Sequence, residues 1–506
     1  MKKTDEQNER AAEVTGNRES VKILRLRQMI FLGKGSFARQ SIHAFISVAL
    51  RLFFRRIEAS GVEKVPPAGA IIFVLNHPNG LVDPALVFVS LPRRVSFLAK
   101  STLFSVPGGG FLLRTLETLP VYRRIDAPAE MSKNLRTFKA CRELLNRGRC
   151  IAIFPEGVSH NETKLQPLKT GAARIALGAL GIKPESVQQS AVSGQQKTDD
   201  RSPETEDRIN LKIMAVGLYY TSKTAFRSEA LIRYGEIFDV EAAAGEMDEE
   251  GEPPRQAVQD LTDKIEAALR RVTLNLESEK ELDTILRAEA LFSSVYKNLL
   301  FKQTLAESFR HLQNLAEKYQ LLGENEPEKM RELDKKIARY ESDLKTSGVT
   351  AESLSVLQHP TAYVLRYLVL RVLFLILLSP PALVGAIIHS PAFVFSNFIG
   401  LMFRTHGADA AGSTYKILAA CLFMPLTWLI AAAIIFWFFG WQIALFSIPL
   451  MILCGYVALR SSETLIDMTV WLKSAWLLFR QKGLFLRLLL KRETLRQEIG
   501  ELIEKD

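Results

Sequence analysis

The stretch Ala70–Pro84, AIIFVLNHPNGLVDP, joins an apolar run to a short polar loop and then to Asp83-Pro84. The run Ile71 to Leu75 reads as a buried strand. Asp83 is placed to cap a helix N-terminus, with proline at the first helical position. Outward from this strand-loop-helix unit, strands are expected over Val95–Ala99, Leu119–Tyr122, Cys150–Phe154, Lys212–Leu218 and Leu231–Tyr234. Helices are expected over Asp83–Ser90, Ser132–Asn146 and Thr170–Gly178. The alternation predicts an α/β domain over 61–245, with a mostly parallel sheet flanked by helices. Loops at the carboxyl ends of such strands carry the chemistry.

The flanks read differently. Residues 1–37 are polar and predict a disordered tail, whereas 38–60 mix apolar residues with Arg39, Arg51, Arg55 and Arg56 as a basic amphipathic helix suited to a membrane interface. Residues 183–210 are nearly empty of large apolar side chains and predict a disordered insertion. A charged helical region follows over 256–350. The membrane region is 363–475, where the uncharged stretch 417–459 is long enough for two spans turning near Gly440-Trp441-Gln442. Pro380, Pro381 and Pro391 make 364–403 a kinked or re-entrant segment. Residues 476–506 form a basic amphipathic C-terminal tail.

A net charge of +10 directs attention to anionic lipid or phosphorylated small substrates. No base-reading basic helix or RNA-binding aromatic pattern occurs, so nucleic acid is not an expected partner. Cys141, Cys150, Cys421 and Cys454 form neither a metal-ligand spacing nor a disulfide framework, and no metal site is expected. Basic residues at both ends of the 417–459 hairpin (Lys416 before it, Arg460 and Lys473 after it) predict that both ends face the cytoplasm. The catalytic domain is expected on that same face.

Three segments carry the chemistry. In the first, His77 at a strand end is followed by Asp83, a histidine with a carboxylate that can orient it as a base toward a substrate hydroxyl. A lone pair of this kind is more often a hydrogen-bonded loop histidine, so the other two segments matter. The second is FPEGVSH, Phe154–His160, another strand-end loop, in which Gly157 allows close backbone approach and Glu156 either faces a ligand or braces the turn. The third, Leu98–Arg124, places Lys100, Arg114, Arg123 and Arg124 around a glycine-rich turn, and arginine forks suit a phosphate.

In order and separation, NHPNGLVDP, the stretch through LPVYRR, FPEGVSH and MAVGLYY resemble the four blocks of the glycerophospholipid acyltransferase superfamily. FPEGVSHNETKLQPLKTGAARIAL resembles its glycerol-3-phosphate and dihydroxyacetone-phosphate branch. The resemblance implies a membrane-bound O-acyltransferase with His77 as general base and Asp83 as its orienting partner. It further implies Arg123 as acceptor-phosphate ligand, Glu156 and Gly157 as acceptor-site residues, and Arg124, Lys100 and Lys169 as further phosphate candidates. No cofactor is implied beyond the acyl thioester co-substrate, acyl-CoA or acyl carrier protein. The implied partners are that donor, a phosphorylated glycerol acceptor and membrane lipid. Five residues, Pro78 to Val82, separate His77 from Asp83 where the superfamily usually has four. Glu117 stands where glycine is common, and Val158-Ser159-His160 replaces the frequent Thr-Arg-Ser. The alternatives are a lysophosphatidate or lysophospholipid acyltransferase, a metal-dependent hydrolase, for which His77, Asp83 and His160 are too few ligands, and an inactive acyltransferase-like membrane scaffold.

Overall fold

The computed structural model describes residues 21–31, 34–123, 125–126, 128–181, 209–242, 248, 252–293, 304–348, 361–403 and 409–504. Most of the expected tail (1–37) and insertion (183–210) therefore lies outside the described residues. The chain divides into two compact units, Met1–Asn161 with Leu165–Thr273, and Glu162–Lys164 with Leu274–Asp506.

The first unit runs β1 (Val21–Ile23), α1 (Leu26–Phe31), α2 (Phe37–Phe53), β2 (Arg56–Ser60), β3 (Ala70–Leu75), α3 (Val82–Ser90), β4 (Val95–Lys100), α4 (Gly109–Thr115), β5 (Leu119–Val121), α5 (Asn134–Asn146), β6 (Cys150–Ile153), α6 (Gly171–Leu180), β7 (Leu211–Tyr220), β8 (Glu229–Asp239) and α7 (Arg255–Val272). Its eight strands form one sheet in the order β1-β2-β8-β7-β3-β6-β4-β5. Pairing is parallel except at β1–β2 and β7–β8. β3 sits between β7 and β6, and all of its residues are buried. A strand covered on both faces selects an uninterrupted apolar run, which is why AIIFVL shows no alternation.

Three differences from the sequence reading have identifiable causes. Asp83 does not cap α3: the cap position falls at Leu81, without a side-chain hydrogen bond, and Asp83 is drawn wholly inside by the partners described below. The basic helix expected over 38–60 ends at Phe53, and Arg56–Ser60 instead forms β2, whose buried Glu58 is paired with Arg56 across 3.1 Å. A charged pair inside a strand hides its strand character from pattern reading. Finally, α7 belongs to the α/β unit, because Val258, Leu261, Ile265, Leu269 and Val272 sit at helical spacing and bury their side chains in the core that covers β3, β6 and β7.

Helix α2 packs with its polar side inward. Arg39 lies over the Phe88 ring at 5.1 Å and donates to the carbonyls of Leu116 and Val95 at 2.6 and 2.9 Å. Phe37, Phe45, Val48 and Leu52 are left on the outer surface.

The second unit comprises α8 (Glu279–Ser293), α9 (Leu305–Asn325), α10 (Pro327–Thr346), α11 (Thr361–Met402), α12 (Asp409–Phe439), α13 (Trp441–Arg480) and α14 (Lys482–Glu504). Thr304 and Glu307 close a reciprocal capping box on α9, and α10 begins with Pro327. Within α11 to α13, the stretches Leu368–Met402, Gly412–Phe439 and Trp441–Thr469 are long and apolar enough to cross a bilayer, which makes this a membrane protein. Gly440, at a φ of 84°, turns the chain between α12 and α13 where the sequence indicated. Pro380, Pro381 and Pro391 fall inside α11. The three helices touch through Gly385, where an added Cβ would lie 2.1 Å from the Cys454 carbonyl oxygen, and through His389, which accepts a 2.9 Å hydrogen bond from the Trp428 indole.

The C-terminal stretch does more than lie on a surface. Phe485, Leu488, Leu495 and Ile499 are buried, and the buried Arg492 of α14 donates to the Leu291 carbonyl at 2.9 Å.

Among the described glycines of the α/β unit, the tightest is Gly217 of β7, where an added Cβ would meet the Val272 carbonyl oxygen of α7 at 1.9 Å. Gly217→Val is therefore expected to destabilise this unit by about 3 kcal/mol or more through overpacking. A loss of thermal stability in detergent would register this, whereas an unchanged melting temperature would contradict the packing.

Candidate active site

The loops at the carboxyl ends of β3, β6, β4 and β5 meet on one side of the sheet because these strands are neighbours running parallel. β3 delivers His77. Asn76 fixes the loop's start by exchanging hydrogen bonds with the Leu218 backbone of β7, at 3.1 and 2.7 Å. Gly80 adopts a φ of 50°, a left-handed turn that absorbs the five-residue interval and returns the chain to Asp83.

His77 Nδ1 lies 2.8 Å from Asp83 Oδ2. The same carboxylate oxygen accepts the Asn79 backbone N–H at 2.7 Å, and Oδ1 accepts the Tyr220 hydroxyl at 2.5 Å. With Asp83 accepting from every side, Nδ1 is the protonated ring nitrogen and Nε2 keeps its lone pair. The ring stacks on Phe154 with centroids 4.2 Å apart. Its side chain remains 19% exposed while Asp83 is fully buried, so the imidazole is partly open to solvent and the carboxylate is not. Burial, reinforced by the neighbouring Asp83 charge and the hydrogen bond to it, holds the Tyr220 phenol well above its ordinary pKa, so it stays a neutral donor.

Glu156 differs from what the resemblance implies. It is 2% exposed, with Oε1 accepting the His77 backbone N–H at 2.8 Å and Oε2 accepting the Gln166 N–H at 2.9 Å. His160 Nε2 binds Oε2 as well, and the His160 backbone N–H donates to the His77 carbonyl at 3.2 Å. With its oxygens committed, the carboxylate is a brace tying the FPEG loop to His77 instead of a group facing an acceptor. Gly157, at a φ of 76°, occupies the left-handed region, and its carbonyl accepts Arg123 Nη1 at 2.8 Å. One short loop thus holds the histidine through Glu156 and the arginine through Gly157.

Arg123 also donates from Nε to Asp126 at 2.5 Å, and Lys100 Nζ lies 3.8 Å from the same carboxylate. The Arg123 hydrogen bond, against a smaller effect of burial, keeps the Asp126 carboxyl below its usual range, with the Arg123 and Lys100 charges adding to the effect. Arg123 and Lys100 are partly exposed, at 28% and 39%, and converge on one anionic group. Lys169 is exposed and its chain passes over Gly157, with Cγ 3.5 Å from where a Cβ would stand. Arg124 lies outside the described residues. Arg114 is turned to the Gly110 carbonyl of its own helix at 2.9 Å. Glu117 takes the positive φ, 59°, that suits the glycine common at that place, and gathers Arg94, Arg149 and Arg39.

Leu81, Val106, Phe111, Ile125 and Val158, one or two on each of these loops, expose large apolar side chains. Phe111 and Ile125 are 73% and 85% exposed. Asn79, His160 and Tyr220 lie inside the motif blocks, but the sequence reading gave none of them a part in holding His77.

The site thus combines a histidine paired with a buried carboxylate, partly exposed basic side chains on neighbouring loops and exposed apolar side chains around them. Residues 56–188 match the Acyltransferase family profile, and residues 290–506 match that of the glycerol-3-phosphate acyltransferase 2 C-terminal domain. The chain is similar over these two stretches to the glycerol-3-phosphate acyltransferase-like branch of the acyltransferase superfamily. Glycerol-3-phosphate O-acyltransferase 1 of Saccharomyces cerevisiae is 25% identical over 476 residues, covering 76% of this chain and 59% of that protein. Glycerol-3-phosphate O-acyltransferase 2 of the same yeast is 27% identical over 311 residues, covering 59% of this chain and 38% of that protein. The chain thus spans less than two thirds of the length of either yeast relative. The chloroplastic 1-acyl-sn-glycerol-3-phosphate acyltransferase BAT2 of Brassica napus is 27% identical over 144 residues, covering 27% of this chain and 40% of that protein.

A brace and a ligand respond differently to mutation. Glu156→Gln leaves a buried N–H donor facing an amide N–H and is expected to cost about 2 kcal/mol, visible as a lowered melting temperature. Arg123→Lys, at a partly exposed position, is expected to leave that temperature within experimental error. Equal behaviour of the two variants would count against the distinction.

Proposed function

We propose that the chain transfers a fatty acyl group from an acyl thioester, of coenzyme A or acyl carrier protein, to the sn-1 hydroxyl of glycerol-3-phosphate or dihydroxyacetone phosphate in phospholipid synthesis. The observation that carries this reading is His77 held at Nδ1 by buried Asp83, with its imidazole partly open to solvent beside the loop that binds Arg123. His77 Nε2 accepts the hydroxyl proton as the oxygen attacks the thioester carbonyl carbon. The C–O bond forms, the tetrahedral intermediate collapses with cleavage of the C–S bond, and the leaving thiolate recovers the proton from His77. Asp83 offsets the transient imidazolium charge. Arg123 and Lys100 receive the acceptor phosphate in place of the Asp126 carboxylate, with Lys169 nearby on the Gly157 side. The apolar rim suits an acyl chain or the bilayer in which the product dissolves.

Lysophosphatidate is the second acceptor to consider. The Brassica relative that acts on 1-acyl-sn-glycerol 3-phosphate matches only 27% of this chain, whereas the match to yeast glycerol-3-phosphate acyltransferase 1 covers 76%. The breadth of the second match favours glycerol-3-phosphate.

The catalytic unit is assigned to the cytoplasmic face. Lys336 of α10 pairs with Glu498 of α14 at 3.0 Å and Lys491 of α14 with Asp343 of α10 at 2.6 Å, so the chain enters and leaves its apolar region on one face. That requires an even number of complete crossings. α12 and α13 supply two, so on this reading α11, a continuous helix whose Leu368–Met402 stretch is itself long enough to cross, would have to enter the bilayer without completing a crossing. The basic residues of α13 and α14 then lie on the cytoplasmic side.

Thiol release by purified protein, offered glycerol-3-phosphate, dihydroxyacetone phosphate and lysophosphatidate with each donor, tests the assignment. Glycerol-3-phosphate or dihydroxyacetone phosphate is expected to turn over fastest, and a preference for lysophosphatidate would replace the acceptor. His77→Ala should lower the rate by about a hundred- to ten-thousandfold with membrane partition unchanged. Activity near that of the parent protein would remove His77 from the mechanism, and a parent protein inert with every acceptor would favour the scaffold.

A further inference from the structure

We propose that Tyr220, on the last residue of β7, is a positioning residue of the transfer reaction that works through Asp83 alone. The inference rests on His77 being the base, as above. Asp83 is the fully buried carboxylate bonded to the imidazole of that base, and each of its oxygens has a defined donor. Oδ2 serves His77 Nδ1 and the Asn79 N–H at 2.8 and 2.7 Å, while Oδ1 is held by the Tyr220 hydroxyl at 2.5 Å. Two of these donors come from the same loop as Asp83. Tyr220 comes from a different strand, 137 residues further along the chain, so it ties the carboxylate to the sheet.

The tyrosine is itself immobilised. Its ring packs near Phe54 with centroids 5.8 Å apart, it is 8% exposed, and its strand is clamped to the His77 loop by Asn76 bonding both backbone groups of Leu218. A carboxylate turning about its Cβ–Cγ bond would break the Tyr220 contact before it could tilt the imidazole. The hydroxyl therefore fixes which carboxylate oxygen faces Nδ1 and, through it, the direction of the Nε2 lone pair.

The hydrogen bond also has a definite electrostatic sign. A donor to a carboxylate stabilises the deprotonated form of the coupled His77–Asp83 pair more than the protonated form. Removing it must raise the pair's proton affinity, so the pH at which the base becomes available moves upward. The other titratable or charged groups bearing on the pair are Glu156 on the His77 N–H, His160 on Glu156, and Lys223, whose carbonyl accepts from Asn79 and whose ammonium donates to the His160 carbonyl. Tyr220→Phe touches none of them, which isolates the hydroxyl.

The experiment compares full-length parent protein, Tyr220→Phe, Asp83→Asn, the double variant and His77→Ala in detergent micelles, recording pH–rate profiles, kcat, both KM values and melting temperature. Tyr220→Phe is expected to lower kcat about tenfold to a hundredfold, the effect of one hydrogen bond to a charged group, with both KM values within about twofold. Its acid limb in kcat/KM should shift upward by roughly half a pH unit or more. In the Asp83→Asn background the same change should have no further effect on rate, since its intermediary is gone. A folded Tyr220→Phe protein with the parent profile overturns the proposal, as does a rate loss of equal size in both backgrounds. If Tyr220→Phe does not fold, the coupling is read with Tyr220→Leu and Tyr220→Met, which likewise offer Asp83 no donor, under the same criteria. If His77→Ala retains the parent rate, the reading of His77 fails, whereas an inactive His77→Ala beside an unaffected Tyr220→Phe sinks only the role of the tyrosine.

Discussion

A single buried carboxylate governs the geometry of this site. Asp83 has no exposed surface and would be unfavourable as an ion were it not surrounded by donors from its own loop, from the histidine and from β7. Those donors make it a fixed negative charge, which selects the tautomer of His77 and leaves Nε2 free. Everything else in the catalytic unit reads as a means of holding that arrangement against the motion natural to loops.

The sheet supplies most of the rigidity. Placing β3 between β6 and β7 brings the histidine loop against FPEG on one side and MAVGLYY on the other, although these segments are far apart in sequence. The FPEG loop then performs two tasks at once, since Glu156 binds the His77 backbone and Gly157 binds Arg123. The separation between His77 and Arg123 is thus set by consecutive residues.

How far the sequence discloses this depends on how local each feature is. The β3 strand, the His77 loop and the FPEG turn were legible because each is a contiguous run with strong punctuation by Asn, Pro and Gly. Asp83 was visible as a partner of His77 but misread as a helix cap, since both roles need a carboxylate at a helix start and only the tertiary donors decide between them. Glu156 was left between ligand and brace for the same reason: burial settles it, and burial is not a property of four residues. β2 was missed because Glu58 and Arg56 satisfy each other inside the sheet. Tyr220 could not be assigned a direction, because β7 is buried along nearly its whole length and its run shows no alternation of polar and apolar residues from which to count.

The contact of α7 with β7 bears on where the catalytic unit can be cut. The Acyltransferase match ends at residue 188, before β7 begins, and the composition of the chain suggests a boundary near 245. Either boundary discards the helix whose Val272 carbonyl lies against Gly217, three residues from Tyr220. A fragment ending at 188 would lose β7 and Tyr220 as well, and one ending near 245 would keep His77, Asp83 and FPEG but expose the apolar face of β7 to water, so the smallest piece that retains its own core extends to Thr273.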